Sequence, residues 1–182
     1  MGAGAGNPLP PAGKGYRTYH LWDFVWQPDT WLEVLGEFMH LERKDVEVDG
    51  KLTTKESLIV PRFHQLVAVK ELLRAAGQEG AGNSYLVQHS AGSGKSNSIA
   101  WSAHRLSNLH DDQDRKVFDS VIVITDRRVL DKQLQETISQ FEHKNGVVQV
   151  IDQHSAQLAE ALNSGVPGDR RKNQPRPLCR YS

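Results

Sequence analysis

The stretch Gln88–Trp101, QHSAGSGKSNSIAW, decides how this chain is read. Its Gly94-Lys95-Ser96 is the ending of a phosphate-binding loop, yet His89 stands where such loops usually begin with glycine. A loop of this kind works through three parts. Glycines let backbone N–H groups curl around phosphate oxygens, a lysine reaches the terminal phosphates, and a hydroxyl holds Mg2+. It must also lie between a buried strand and a helix, whose N-terminus adds partial positive charge. Tyr85–Val87 is the expected strand, Gly92-Ser93-Gly94 the turn, Lys95 the ammonium, Ser96 the hydroxyl, and residues 95–109 the helix. Gly92 and Gly94 already supply the permissive backbone positions, so the missing first glycine matters little. His89 keeps two readings, a contact to phosphate or substrate and a hydrogen bond that steadies the loop.

Around the loop, strand and helix patterns alternate. After Pro61, Leu66, Val69, Leu73 and Ala76 recur at helical intervals, and Gly77 and Gly80 end the run. Past the loop, Ile99, Ala103 and Leu106 are expected to share a buried helical face. Val121–Ile124 is a continuous apolar run, as in a strand buried on both faces. An amphipathic helix with Leu130, Leu134, Ile138 and Phe141 in line follows it. Val147–Ile151 reads as another strand, and Asp152 as the cap of a helix containing Leu158 and Leu162. Such alternation implies crossover connections. The expected fold class is therefore α/β: an incomplete P-loop (RecA-like) parallel sheet with flanking helices, preceded by a small helical segment and a linker.

Residues 1–15, rich in glycine and proline, read as a flexible linker. Residues 16–57 read as a helical connector, in which Thr30 and Glu33 have capping-box spacing and Trp31, Leu35 and Phe38 recur on one face, with Met39 beside them. Residues 58–166 are the partial ATPase-type domain. Residues 167–182 break the pattern and carry an excess of basic side chains. They read as a disordered tail, a basic nucleic-acid arm, or residues foreign to the fold, and the last reading is preferred.

With 182 residues, 38% hydrophobic and 24% charged, the chain has the composition of a folded domain rather than a disordered one. Its 22 basic and 22 acidic residues cancel, so nucleic-acid binding has to rely on a local patch. Cys179, the single cysteine, excludes an intrachain disulfide and points to a reducing compartment. None of the eight histidines pairs with another His or Cys at zinc-ligand spacing. No apolar run reaches the roughly 20 residues that cross a bilayer, so no membrane association and a cytoplasmic location are expected.

YLVQHSAGSGKSNSIAW, followed after a spacer by VIVITDRRVLDKQ, resembles motifs I and Ia of superfamily-two helicases. More closely, it resembles the motor (R) subunit of type I restriction endonucleases, in which motif I commonly starts with a histidine–serine pair. PRFHQ is similar to the adenine-reading segment of these motors, and GYRTYHLWDFVWQPDTWLEVLGEFMHLE to the stretch joining nuclease and motor. The similarity runs over residues 7–166. It implies that Gly92, Ser93, Gly94, Lys95 and Ser96 bind ATP, that Lys95 is the catalytic lysine and Ser96 the Mg2+ ligand, and that Gln65 contacts the adenine. Thr125, Asp126 and Arg127 fall in motif Ia, which lies along the backbone of double-stranded DNA in such motors. On charge alone, Arg127 reads equally as a solvated helix start.

The same resemblance implies ATP-driven DNA translocation and cleavage in a complex with methyltransferase and specificity subunits. The acid-pair motif, second motor domain, arginine finger and nuclease carboxylates of that family are not in this sequence. The chain is therefore expected to correspond to half of the first motor domain with its preceding linker, and to bind nucleotide better than it hydrolyses it. A non-catalytic, nucleotide-dependent scaffold and another superfamily-two helicase are the alternatives. A small P-loop kinase is disfavoured, because Thr125-Asp126-Arg127 offers no acceptor site.

Overall fold

The computed structural model describes residues 10–13, 15–48, 50–125, 128–140, 148–151, 155–164 and 178–181. The chain divides into two compact units: Met1–Val67 with Gln88–Ser93, and Ala68–Val87 with Gly94–Ser182.

The first unit opens with a π-helical turn, Leu21–Val25, then helix α1, Pro28–Glu33, which continues as a second π-turn, Val34–Phe38. Pro28 at the first helical position, with its φ already fixed, starts α1 two residues before the expected cap. Thr30 therefore lies inside the helix and is buried, and the Thr30–Glu33 pair is not a capping box. Met39 N–H donates to the Val34 carbonyl at 2.9 Å, a five-residue step that widens the turn. The buried row becomes Thr30, Val34 and Phe38, while Trp31 and Leu35 face solvent. Phe63 collects His20 and Phe24, with ring centroids at 4.4 and 5.9 Å.

A β-hairpin then stands where helix was expected. Strand β1, His40–Val48, pairs antiparallel with β2, Lys51–Ile59, from His40 opposite Ile59 to Val48 opposite Lys51. Asp49-Gly50 is a two-residue hairpin signal, and Gly50 has φ +73°, as the tight turn demands. The strands carry polar residues on both faces, so neither helical nor strand periodicity stands out in the sequence. Cross-strand pairs hold them instead. Arg43 Nε donates to Glu56 Oε1 at 2.8 Å, and Thr54 Oγ1 to Asp45 Oδ1 at 2.7 Å.

Helix α2, Phe63–Glu79, buries Leu66, Val69, Leu73 and Ala76, the row read from the sequence. In the second unit, α3, Lys95–Ser107, is followed by β3, Ile122–Ile124, α4, Arg128–Gln140, β4, Val148–Ile151, α5, Ser155–Ser164, and β5, Leu178–Tyr181. Among the described residues, β3, β5 and β4 form a parallel three-stranded sheet in that order. Helical crossovers between strands give this parallel sense. His104 Nε2 donates to the Ile138 carbonyl at 3.0 Å and ties α3 to α4, where Leu134 and Ile138 are buried.

Several expectations are corrected here. Tyr85–Val87 forms no strand, and Leu86 is 91% exposed. An extended run gains its ladder only from a neighbouring strand, and none is paired with this one among the described residues. The strand–loop–helix unit of a P-loop sheet is thus not assembled. In β3, Val123 is buried but Ile124 is 72% exposed, so the strand is covered on one face, not both. On α3 the buried residues are Ser98, Ala100, Trp101, Ala103 and Ser107, with Ile99 exposed, because Trp101 has the most area to hide and turns its own face inward. Leu178–Tyr181, in the C-terminal segment, forms the strand between β3 and β4. Phe141 and Asp152 lie outside the described residues.

Each unit therefore mixes α and β structure, and no helix among the described residues is long and apolar enough to cross a membrane. Trp101 is 1% exposed. Trp101→Ala is expected to lower the unfolding free energy by about 3–5 kcal/mol in urea titration; a loss below 1 kcal/mol would mean that this side chain does not anchor the second unit.

Candidate nucleotide-binding loop

The loop Gln88–Ser93 belongs to the first unit, and Gly94 opens α3 in the second. Each part is shaped by its own backbone. Gly92 has φ +73° and Gly94 φ +80°, both in the left-handed region that side-chain-bearing residues avoid. A Cβ at Gly92 would meet nothing within 4 Å, so its requirement for glycine is conformational and not steric.

Gly94 is the N-cap of α3 and, lacking a side chain, leaves the first turn without a side-chain cap. The N–H groups of Asn97 and Ser98 bond back to the Gly94 carbonyl at 3.1 and 3.3 Å. Amide donors ahead of them have no carbonyl one turn back within the helix. No acidic residue lies in that first turn to repel an anion. Lys95 is the first helical residue and is exposed; Ser96 follows and is half-buried. Glycine cap, positive helix end, ammonium and hydroxyl thus fall together on three residues, Gly94 to Ser96.

On the other side of the boundary, Ser93 is 8% exposed. Its N–H reaches the Ser90 carbonyl at 3.4 Å, and its own carbonyl lies 3.1 Å from His64 Nε2. A carbonyl only accepts, so His64 carries its proton on Nε2 there. The His89 ring meets His64 edge-on, with centroids 5.0 Å apart. His89 thus touches the residue that holds the Ser93 carbonyl. The Ser93 hydroxyl is buried without a hydrogen-bond partner among the described residues, and so is that of Ser98. A buried orphan hydroxyl is costly unless a ligand or water completes it.

Gln65 is 3% exposed and takes a structural position. Its Oε1 accepts the Arg62 backbone N–H at 2.8 Å, while the Gln65 and Leu66 N–H groups return to the Arg62 carbonyl at 2.9 and 3.0 Å. This is the return arm of a capping box, and it fixes the start of α2. Thr125 follows β3 directly and is half-buried; Asp126 and Arg127 lie outside the described residues. Among the described residues no group of three or more His, Cys, Asp or Glu is placed to hold a metal. Upstream of the loop, Tyr85 Oη donates to Glu79 Oε2 at 2.8 Å. That bond, with some burial and the nearby carboxylate charge, raises the phenol's pKa.

His64 is the residue that sequence reasoning missed. It stands next to Gln65 but far from His89 and Ser93 along the chain, and no spacing rule links them.

The two left-handed glycines and the acid-free helix start suit an anion at the start of α3. Among protein families, the SWI2/SNF2 ATPase model matches residues 64–168, more than half of the chain. No curated protein and no solved structure matches it.

Gly94→Ala is expected to destabilise the chain by about 1–2 kcal/mol, the cost of forcing a Cβ into left-handed backbone. Chemical denaturation at wild-type stability would deny the left-handed cap.

Proposed function

Since the chain belongs to the SWI2/SNF2 ATPase family, we propose that it holds Mg2+–ATP on residues 92–96 as part of a superfamily-two DNA-translocating motor. The observation that carries this reading is the pair of left-handed glycines flanking a Ser93 hydroxyl that is buried without a hydrogen-bond partner among the described residues. Glycine at both positions brings main-chain N–H groups to an anion with no Cβ in the way, and the α3 N-terminus adds its partial positive charge. Lys95 supplies the ammonium for the terminal phosphates, and Ser96 the hydroxyl for Mg2+. His64 and His89 keep Ser93 in place. The resemblance assigns Gln65 to contact with the adenine; in this structure its Oε1 accepts the Arg62 N–H. When bound, ATP supplies a phosphoryl bond whose hydrolysis can drive movement.

The finer assignment is to the motor subunit of a type I restriction endonuclease. Its support is sequence likeness over residues 7–166, including the histidine–serine start of the loop and the tryptophan-rich segment upstream of the family match. On this assignment Thr125, Asp126 and Arg127 follow the backbone of double-stranded DNA, and the chain works with methyltransferase and specificity subunits.

Lys95→Ala tests the central role. Titration calorimetry with Mg2+–ATP is expected to show affinity reduced at least about tenfold, the loss of one charge-assisted contact of about 1.5–3 kcal/mol. Wild-type affinity in the variant would remove Lys95 from the site.

A further inference from the structure

Helix α1 and the π-turn that continues it are buried along one side only. An α-turn takes slightly fewer than four residues and a π-turn slightly more, so residues four apart stay in line along this element. The buried row Thr30, Val34 and Phe38 has that spacing. Three further rows run beside it. Trp31 and Leu35 form the first, Leu32 and Gly36 the row opposite the buried one, and Asp29, Glu33 and Glu37 the last.

The three outward rows make one surface of mixed chemistry. Trp31, Leu32 and Leu35 are 39%, 67% and 44% exposed, and a Cβ at Gly36 would meet nothing within 4 Å. An indole and two leucines thus border an open notch at Gly36. Carboxylates run along the other border, with Asp29 and Glu37 exposed and Glu33 half-buried. The preceding turn repeats the combination. Trp22 and Trp26 are exposed, their rings edge to face at 4.4 Å, and Asp23, between them in sequence, is exposed too. From Tyr16 to Met39, four carboxylates stand against Arg17 alone. A lone exposed apolar side chain is ordinary, whereas tryptophan and leucine grouped on one helix side and rimmed by charge mark an interaction surface.

The sign of the charge selects the occupant. A carboxylate row repels the phosphates of nucleic acids and of anionic lipids. Arginine suits both halves of the surface: its stem lies along apolar groups, its guanidinium stacks on an indole, and its planar fork pairs with a carboxylate. We propose that the outward side of residues 29–37 is a docking surface for an arginine-rich segment of a partner protein. This surface is independent of the nucleotide loop.

The test titrates the full chain into a fluorescent peptide of eight arginines and follows anisotropy. The wild-type chain is expected to bind it, and more tightly than a peptide of eight lysines, whose ammonium groups have no planar face to stack. Trp31→Ala is expected to weaken the arginine peptide about two- to fivefold, the value of one exposed cation–π contact, and to narrow the gap between the two peptides. Asp29→Asn with Glu37→Gln is expected to weaken both peptides. Asp112→Asn with Asp114→Asn removes the same charge from another exposed stretch and is expected to leave both affinities at the wild-type value. Absence of arginine-peptide binding, or equal binding of the two peptides, would overturn the proposal. So would wild-type affinity after Trp31→Ala, or a loss from the Asp112 and Asp114 pair as large as that from Asp29 and Glu37.

Discussion

The sign of φ at two glycines governs the region on which function depends. Left-handed backbone at Gly92 and Gly94 turns the chain sharply enough for Gly94 to end the loop and begin α3 at once. The same conformation costs an L-residue about 1–2 kcal/mol, so glycine is the natural occupant. It also strips the helix of a side-chain cap. A helix start of this kind is a poor device for stability and a good one for an anion, since the positive end of the helix dipole lies there.

The surroundings hold the loop from within. His64 and His89 form a small aromatic pair whose polar end fixes the Ser93 carbonyl, and the hydroxyl of the same serine is buried with no hydrogen-bond partner among the described residues. A folded chain accepts such a group where a ligand completes it. Gln65, one residue on from His64, pins the first turn of α2 through Arg62. The segment PRFHQ thus has two structural duties in adjacent residues: one sets a helix start, the other steadies the phosphate loop.

Much of this was legible in the sequence wherever one periodicity dominates. The buried row of α2 was read without error, because Leu66, Val69, Leu73 and Ala76 are apolar at strict helical spacing. The α3 face was misread, since Ile99, Ala103 and Leu106 make as good a stripe on paper as Ala100, Trp101 and Ala103. Area decides between them, and tryptophan has more. The hairpin was hidden by strands that are polar on both sides; its only signal was Asp49-Gly50. Pro28, not Thr30, set the start of α1, because a ring-fixed φ at the first helical position outranks a hydroxyl two residues later. Tyr85–Val87 looks like a buried strand by composition alone, yet strand formation depends on a paired neighbour that composition does not specify. The contact between His64 and the loop arises from tertiary structure and has no local signature.

Amide hydrogen exchange across the loop probes the account most directly. With Mg2+ and a non-hydrolysable ATP analogue, exchange at the amides of residues 92–97 is expected to slow markedly, while the β1–β2 hairpin exchanges as before. Unchanged exchange at those amides under saturating nucleotide would contradict the claim that this backbone grips the phosphates.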